Sequence, residues 1–302
     1  MIYFVLAVLF TVALYLILRT YPKYGINNFH AIVFNYYACV LTGLVLTPDL
    51  SVFGNVDLSS PASLYTLLLG SLFIAAFLMI GLTTQKAGVT ATSLAGNLSL
   101  VIPVFFGLFV FRNTTKEFTI LNYTGLILAV LALGLAAVRP GTTEKKMSTG
   151  LKWIWIFPVI TFLASGTNNT LINYLSMTYY EPGTSTVFMI IACSGAIIIG
   201  SIIVLWKIIV QREKFELKNM IAGFILGVPN FLSLYFLLKA LDAYGNSAAF
   251  VFPVYNILTM LVSAAAAWLL FREKLTAMNK VGVLLAIIAI VLLSYQEIGL
   301  AI

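Results

Sequence analysis

Long apolar segments separated by short polar connections dominate the hydrophobic pattern of this chain. A transmembrane helix needs about 20 apolar residues to cross the hydrocarbon core of a bilayer. Segments of about that length lie at 2–18, 29–47, 64–84, 90–111, 120–138, 153–175, 185–206, 219–238, 247–271 and 280–296. The connections between them are too short to hold a soluble domain. The pattern therefore predicts an all-α membrane protein with ten transmembrane helices.

A sequence repeat relates the two halves of the chain at an offset of 157 residues. The segment 88–135 matches 245–292 without a gap, with nine identities in 48 positions. The turns TTKEFT at 114–119 and FREKLT at 271–276 fall in register. The identical pairs are Gly88 and Gly245, Ala91 and Ala248, Thr119 and Thr276, Asn122 and Asn279, Gly125 and Gly282, Leu128 and Leu285, Ala129 and Ala286, Ala132 and Ala289, and Leu135 and Leu292. Outside this segment, Gly43 and Gly70 match Gly200 and Gly227.

This offset divides the predicted helices into two sets of five. Residues 1–138 form the first repeat, residues 139–152 a cytoplasmic linker, and residues 153–302 the second repeat. The stretch VRPGTTEKKMSTG at 138–150 has the composition of a linker. Because five is odd, the second repeat is predicted to lie inverted in the membrane. Inverted repeats of this kind are typical of secondary transporters.

Composition supports the membrane interpretation. The chain is 61% hydrophobic and 9% charged, whereas a soluble domain carries about 25% charged residues. The net charge of +7 is spread between the apolar segments, which favours membrane topology signals over nucleic-acid binding. Cys39 and Cys193 lie inside apolar segments and are predicted to be packing residues. We expect the lipid bilayer as a partner, and neither nucleic acid nor a cofactor or metal ion. The first segment lacks a charged n-region and is predicted to be retained.

Lysine and arginine are distributed unequally between the two sides of the predicted bundle. The connections after helices 1, 3, 5, 7 and 9 hold fourteen of them, and the other side holds three. The positive-inside rule places the fourteen in the cytoplasm. We therefore predict a multi-pass protein of the bacterial inner membrane, with both termini on the extracytoplasmic side.

The turn FREKLT, followed by a helix with Gly282 near its start, resembles the drug/metabolite transporter superfamily in its EamA-like branch. In that branch a Glu-basic-Leu-Thr turn joins the fourth and fifth helices of each half. Glu273 matches that glutamate, while Lys116 stands at the equivalent position of the first half with Glu117 beside it. The resemblance implies a cavity lined by the third and fourth helices of each half, with the first helices nearby. It leaves the substrate open.

Polar residues recur on single faces of several predicted helices, and such residues tend to face the bundle interior. Helix 6 has Ser165, Asn168, Asn169 and Asn173 at helical spacing, and helix 1 has Thr11 and Tyr15. The candidate substrate-binding residues are Asn97, Ser165, Asn168, Asn169, Asn230, Tyr235, Tyr255 and Asn256. The alternative is that these groups only bond neighbouring helices together.

Pro103, Pro229 and Pro253 are candidate hinges, although each could equally produce a static bend. No acidic or basic residue lies in the middle of a predicted helix, which favours neutral, zwitterionic or amphipathic solutes. His30 is predicted to be an interfacial residue.

These observations favour a secondary transporter of a small metabolite, amino-acid-like or drug-like, that works by alternating access. A flippase-like carrier of lipid-linked or amphipathic groups is the alternative. An intramembrane enzyme is disfavoured because convergent catalytic groups are lacking. The direction of transport, the coupling ion and the choice between monomer and homodimer stay open.

Overall fold

The computed structural model describes residues 2–47, 50–54, 56–103, 106, 119–137, 154–180, 185–243, 248–273 and 275–298. Ten α-helices occupy this part of the chain. They are α1 (Ile2–Thr20), α2 (Asn28–Leu46), α3 (Pro61–Lys86), α4 (Val89–Leu98), α5 (Ile120–Ala137), α6 (Ile156–Tyr179), α7 (Ser185–Val210), α8 (Leu217–Ala243), α9 (Ala248–Phe271) and α10 (Ala277–Ile298). Short 3-10 turns lie at Tyr21–Tyr24 and Leu50–Phe53.

Six of these helices are long and apolar enough to cross a bilayer. They contain the spans Ile2–Tyr24, Asn28–Leu46, Pro61–Lys86, Thr186–Val210, Leu217–Ala240 and Val254–Phe271. The apolar segments of α4, α5, α6 and α10 are shorter. Large apolar side chains are exposed along the helices, as expected where lipid replaces water. The chain is a multi-pass helical membrane protein.

Within the described residues, the fourth helix departs from its predicted course. A continuous helix was expected over 90–111, but α4 ends at Leu98 and a further helical turn covers 101–103. Positions 104, 105 and 107–111 of this prediction lie outside the described residues. Pro103 explains the break. It has no N–H to donate to the carbonyl of Ser99, and its ring crowds that carbonyl. The predicted linker 139–152 lies outside the described residues.

The chain divides into two compact units. Unit 1 consists of Met1–Arg19, Met79–Gly166 and Ser233–Ile302, and unit 2 of Thr20–Leu78 and Thr167–Leu232. Neither unit corresponds to one of the predicted sequence repeats, because each takes residues from both halves. Unit 1 has its core where α4, α5, α9 and α10 meet. The buried core residues are Leu94, Ala95, Leu98, Val101, Ala129, Ala132, Leu133, Met260, Ala286, Ala289 and Ile290.

In unit 1, α5 and α10 lie antiparallel and are joined by two equivalent contacts. Asn122 Nδ2 at the start of α5 donates to the carbonyl of Leu292 at 3.2 Å. Asn279 Nδ2 at the start of α10 donates to the carbonyl of Leu135 at 3.3 Å. Adding 157 to the number of Asn122 gives Asn279, and subtracting 157 from the number of Leu292 gives Leu135, so each contact is the counterpart of the other. The two contacts between these helices are therefore reciprocal.

The same two asparagines also cap their own helices. Asn122 Oδ1 accepts from the backbone N–H and the hydroxyl of Thr119, at 2.9 and 3.0 Å. Asn279 Oδ1 accepts from the same groups of Thr276, at 3.2 and 2.6 Å. Thr276 and Asn279 form a capping box in which asparagine takes the usual place of glutamate or glutamine, because the Asn279 N–H also donates to Thr276 Oγ1 at 3.0 Å. Thr119 and Asn122 share the contacts of the asparagine side chain. The threonine and asparagine identities of the sequence repeat are thus explained by helix initiation.

We predict that Asn122→Ala and Asn279→Ala each lower the free energy of unfolding by about 1–3 kcal/mol, because each removes the hydrogen bonds to the facing helix and to the start of its own helix. Tm measurements on the purified variants test this. Thr124→Ala, which removes an exposed hydroxyl from α5, should leave the Tm unchanged. Unequal losses, with one asparagine variant at the wild-type Tm, would contradict the equivalence of the two contacts.

Unit 2 shows the same reciprocity where helices approach closely. A Cβ added at Gly70 on α3 would lie 2.4 Å from the carbonyl oxygen of Ala192 on α7. A Cβ added at Gly227 on α8 would lie 2.2 Å from the carbonyl oxygen of Asn35 on α2. These contacts are also related by the offset of 157 residues, since Gly70 corresponds to Gly227 and Ala192 corresponds to Asn35. Glycine is required because the two helix backbones leave no space for a side chain.

Candidate functional site: a neutral polar seam in unit 1

A line of polar side chains runs between α1, α4 and α9 in unit 1. We call it the polar seam, and it consists of Thr11, Tyr15, Ser93, Asn97, Tyr255, Asn256, Thr259 and Ser263. On α4 the polar positions are four residues apart, and on α9 they recur at intervals of three and four. Both spacings place side chains on one face of a helix. The seam carries no charged side chain.

Several contacts bring this seam together. The hydroxyls of Thr11 and Tyr255 lie 2.5 Å apart and join α1 to α9. Ser93 Oγ lies 3.5 Å from the carbonyl oxygen of Thr259, to which it donates. Asn97 Nδ2 donates to the carbonyl oxygen and the hydroxyl of Ser93, at 2.6 and 3.2 Å. The three helices therefore meet through hydroxyl and amide groups rather than through apolar packing alone.

Some polar atoms in this region lack a hydrogen-bond partner among the described residues. They are Asn256 Nδ2 and Ser263 Oγ in the seam, and Ser165 Oγ on α6. Asn256 is 5% exposed and Ser263 is completely buried. A buried polar group without a partner costs about 1–3 kcal/mol. Such groups are expected where a ligand or ordered water completes the hydrogen bonds.

Glu273, which follows α9, lies at the start of α4, about one turn before the seam residue Ser93. Its carboxylate accepts from the backbone N–H groups of Val89 and Thr90, at 3.0 and 3.5 Å, at the start of α4. A carboxylate at this position is stabilised by the positive end of the helix dipole. Gly88 precedes α4 with φ +102, and a Cβ there would lie 2.9 Å from Glu273 Oε1. Glycine at 88 therefore permits both the backbone conformation and the approach of the carboxylate.

Arg19, at the end of α1, joins this contact to α3. Its guanidinium lies 3.7 Å from Glu273 Oε1 and donates to the carbonyls of Thr84 and Gln85, at 3.0 and 2.6 Å. The ends of α1, α3 and α9 and the start of α4 thus converge on one ion pair. We call this set, formed by Arg19, Glu273 and the backbone groups of 84–85 and 89–90, the Glu273 latch.

The latch belongs to a local motif that occurs twice. The tripeptide Arg-Glu-Lys follows α7 at 212–214 and α9 at 272–274. In both copies the backbone of the arginine is in the left-handed conformation, with φ of 55° at Arg212 and 53° at Arg272. The N–H of the following glutamate donates to the carbonyl six residues earlier, at 3.2 Å in each copy. In unit 2, Glu213 Oε1 lies 3.0 Å from Lys207 Nζ, and its Oε2 lies 3.2 Å from Nε2 of the buried His30. His30 lies at the start of α2 and is 1% exposed, and its placement at the membrane interface stays a prediction.

The predicted site residues are divided between the two units. Unit 1 holds Asn97, Ser165, Tyr235, Tyr255 and Asn256, and unit 2 holds Asn168, Asn169 and Asn230. Of the five in unit 1, the seam brings together Asn97, Tyr255 and Asn256. Tyr235 packs edge-on against Phe236 and lies under the ammonium of Lys239.

The unit 2 candidates make contacts between helices. Asn230 Nδ2 donates to Asn35 Oδ1 at 3.1 Å and lies 3.5 Å from Cys39 Sγ. Asn168 Nδ2 donates to the carbonyl of Leu72 at 3.4 Å. Asn169 is half-buried on α6. At Asn230 these contacts match the alternative role of bonding helices together.

The candidate hinges differ from one another. Pro103 lies just beyond the break after α4, whereas Pro229 lies inside the continuous helix α8. Pro253 lies in α9, but its side chain and that of Asn173 are outside the described residues. Within the described part of the chain, no group of three or more His, Cys, Asp or Glu side chains is placed to hold a metal ion.

Sequence reasoning missed several members of this region. Ser263 continues the α9 face that contains Asn256 and Thr259, and extending the helical spacing by one turn would have found it. The partners of Glu273 could not be found from spacing, because Val89 is 184 residues away. The repeated Arg-Glu-Lys tripeptide was the available signal that Glu273 and Glu213 have similar local roles.

Comparisons with known proteins place this architecture among bacterial relatives. An uncharacterized protein of Haemophilus influenzae is 24% identical over 301 residues, covering 97% of each chain. The putative sugar uptake protein YxfA of Lactococcus lactis is 29% identical over 212 residues, covering 67% of this chain and 66% of that one. A solved crystal structure of a protein superposes with a TM-score of 0.50 at 12% identity, covering 96% of this chain and 98% of that one, which concerns the fold alone. No family model matches the chain. The sequence is thus similar along nearly its whole length to one bacterial protein, and over two thirds of it to another that is described as acting in sugar uptake.

Proposed function

We propose that this protein is a secondary transporter of a small, neutral, hydroxyl-rich solute. The observation that carries the proposal is the polar seam. Its buried hydroxyl and amide groups lie within a multi-pass membrane protein, and Asn256 and Ser263 have atoms that lack a partner among the described residues. A solute that exchanges hydrogen bonds with such groups would satisfy them.

The chemistry of the seam favours a sugar or polyol over a charged metabolite. Asparagine, serine, threonine and tyrosine both donate and accept, which suits a solute with many hydroxyl groups. A phosphorylated or anionic solute would call for arginine or lysine, and none belongs to the seam. The description of the Lactococcus relative as a sugar uptake protein agrees with this substrate class. The proposed role is transport rather than catalysis.

For the mechanism, we propose alternating access between two inverted repeats, as in the EamA-like branch of the drug/metabolite transporter superfamily. Support comes from the reciprocal contacts between Asn122 and Leu292 and between Asn279 and Leu135. The close approaches at Gly70 and Gly227 obey the same offset. Repeats related in this way can exchange conformations, so that a site is reached first from one side and then from the other.

The Glu273 latch is our candidate for the gate on one side of the seam. It joins the start of α4 to the end of α9. Helix α4 carries Ser93 and Asn97, and helix α9 carries Asn256. Releasing the carboxylate from the backbone of Val89 and Thr90 would let these two helix ends separate. By the distribution of lysine and arginine, this side faces the cytoplasm of a bacterial inner membrane.

We expect Asn256→Ala to remove the increase in Tm that a bound sugar produces in the purified protein. A ligand at 100 times its Kd stabilises a protein by about 2.7 kcal/mol, which is readily measured. A panel of neutral monosaccharides, polyols and amino acids identifies the ligand class. Removing one donor from a site that bonds a hydroxyl group should weaken binding at least tenfold.

Asn279→Ala is the matched control, because it is the same substitution in the same unit but its amide bonds the end of α5. It should lower the basal Tm and leave the ligand-induced increase intact. An Asn256→Ala protein that still responds fully to the ligand would refute the seam as the binding site. A response to amphipathic lipid-linked solutes alone would refute a sugar or polyol substrate and favour a flippase-like carrier.

A further inference from the structure

A groove lies between α2 and α7 within unit 2. Its principal lining residues are Phe34, Tyr37, Ser201, Leu205, Ile208 and Phe215, and it encloses about 210 Å³. Ser201 and Ile208 are seven residues apart on α7, so the groove is about 10 Å long at the rise of an α-helix. That length is shorter than one leaflet of a bilayer, whose hydrocarbon core is about 30 Å thick in total. The groove therefore fits the tail of a lipid in a single leaflet.

The groove is open along its side and has different chemistry at its two ends. Leu205 is 56% exposed and Phe215 is 51% exposed, so the walls are accessible from outside the protein. At one end the hydroxyls of Tyr37 and Ser201 lie 2.8 Å apart and satisfy each other. At the other end Phe215 packs edge-on against Phe34, with ring centroids 6.0 Å apart. Between these ends the lining is apolar.

Basic residues flank Phe215 in the sequence. The segment 207–218 contains four basic residues and two acidic ones, which leaves a net charge of 4 − 2 = +2. Lys207 lies 3.0 Å from Glu213, and Lys218 lies 3.1 Å from Glu216. Arg212 and Lys214 are exposed and make no ion pair with any other described residue. Two positive charges that no described acidic residue neutralises thus lie within three residues of Phe215 in the sequence.

We propose that this groove binds an anionic phospholipid such as phosphatidylglycerol. One acyl chain lies along α2 and α7, and the phosphate lies between Arg212 and Lys214. Basic pockets between transmembrane helices near the cytoplasmic surface bind anionic headgroups, and each lysine or arginine contributes to the attraction. A neutral lipid would leave both cations without a partner. The site does not depend on which solute the protein carries.

Native mass spectrometry of the purified full-length protein tests the proposal, with phosphatidylglycerol and phosphatidylcholine of identical chains. We expect phosphatidylglycerol to bind about 25-fold more tightly, since two basic residues contribute about fivefold each. The double variant Arg212→Gln/Lys214→Gln should bind both lipids equally. Both side chains are exposed, so these substitutions should leave the fold intact, which the Tm will verify.

Two further variants separate the parts of the site. Lys280→Gln removes an exposed positive charge from the start of α10 and should keep the full preference for phosphatidylglycerol. Ser201→Phe fills the groove and should weaken the binding of both lipids. Equal binding of the two lipids by the wild-type protein, or a preference that survives in the double variant, would overturn the proposal. So would a wild-type dimer that Ser201→Phe converts to monomer, because a second copy would then cover the groove.

Discussion

Replacing Glu273 with alanine is expected to lower the free energy of unfolding by about 2–3 kcal/mol and to loosen the start of α4. The substitution removes the acceptor for the N–H groups of Val89 and Thr90, and it leaves Arg19 without its carboxylate partner. Hydrogen bonds to a charged group contribute about 1.5–3 kcal/mol. Because Glu273 is only 15% exposed at its side chain, solvent replaces these interactions poorly.

Glu273→Gln separates the charge from the hydrogen bonds. Its amide oxygen can still accept from the start of α4, but it no longer attracts Arg19 or the positive end of the helix. We expect Glu273→Gln to lower the free energy of unfolding by about half as much as Glu273→Ala does. Glu213→Gln is the matched control in the other Arg-Glu-Lys motif, where the carboxylate lies near Lys207 and His30 instead.

The opening of α4 can be followed directly with a cysteine at Thr92, which is fully buried. In a background with Cys39 and Cys193 replaced by alanine, a hydrophilic maleimide should label this cysteine faster after Glu273→Ala than before it. Glu213→Gln should leave the labelling rate unchanged. If Glu273→Ala lowers the Tm but labelling stays at the original rate, then Glu273 is a structural cap and the gate lies elsewhere.

Gly227→Ala is expected to destabilise the protein by about 1–3 kcal/mol, the usual result of forcing extra volume into a packed interior. The added Cβ would lie 2.2 Å from the carbonyl oxygen of Asn35 and 2.6 Å from the Cβ of Ala38. These atoms belong to α2, so the two helices must move apart. Their separation would also weaken the hydrogen bond from Asn230 to Asn35.

Two other glycines make this prediction specific. Gly70→Ala should cost a similar amount, because its added Cβ would meet the backbone of Ala192 and Ala196 on α7. Gly134→Ala should leave the Tm unchanged or raise it slightly, since no described atom outside the nearby backbone of its own helix lies within 4 Å of its added Cβ and alanine favours a helix by about 1 kcal/mol. Equal Tm values for all three variants would show that the close approaches at Gly70 and Gly227 do not constrain the fold.

The helices could be predicted from sequence because membrane insertion imposes a local rule. Each crossing must be apolar and must satisfy its own backbone, so length and hydrophobicity mark it without any knowledge of its neighbours. The predicted first helix at 2–18 corresponds to Ile2–Thr20, and the predicted ninth at 247–271 to Ala248–Phe271. The error at α4 also has a local cause, since Pro103 signalled a kink but not that the helix would end five residues earlier.

The candidate site was predicted less completely, for a different reason. Helical spacing identified Asn97, Tyr255 and Asn256 as members of polar faces, and the structure brings them into one seam. The same rule selected Asn230, whose amide instead bonds Asn35 and Cys39 in unit 2. Periodicity shows that a side chain faces the interior. It does not distinguish a face that meets another helix from one that meets a ligand.

By itself, the sequence determined the membrane environment, the number of helices and the offset of 157 residues, because hydrophobicity and repetition are properties of the chain in order. Only the tertiary structure decided which groups meet. It made the identities at Asn122 and Asn279 into reciprocal contacts between α5 and α10, and it joined Glu273 to the start of α4. These pairings depend on polar groups from helices far apart in sequence coming within about 3 Å of one another, which is the distance of a hydrogen bond. No local sequence pattern specifies which groups will meet.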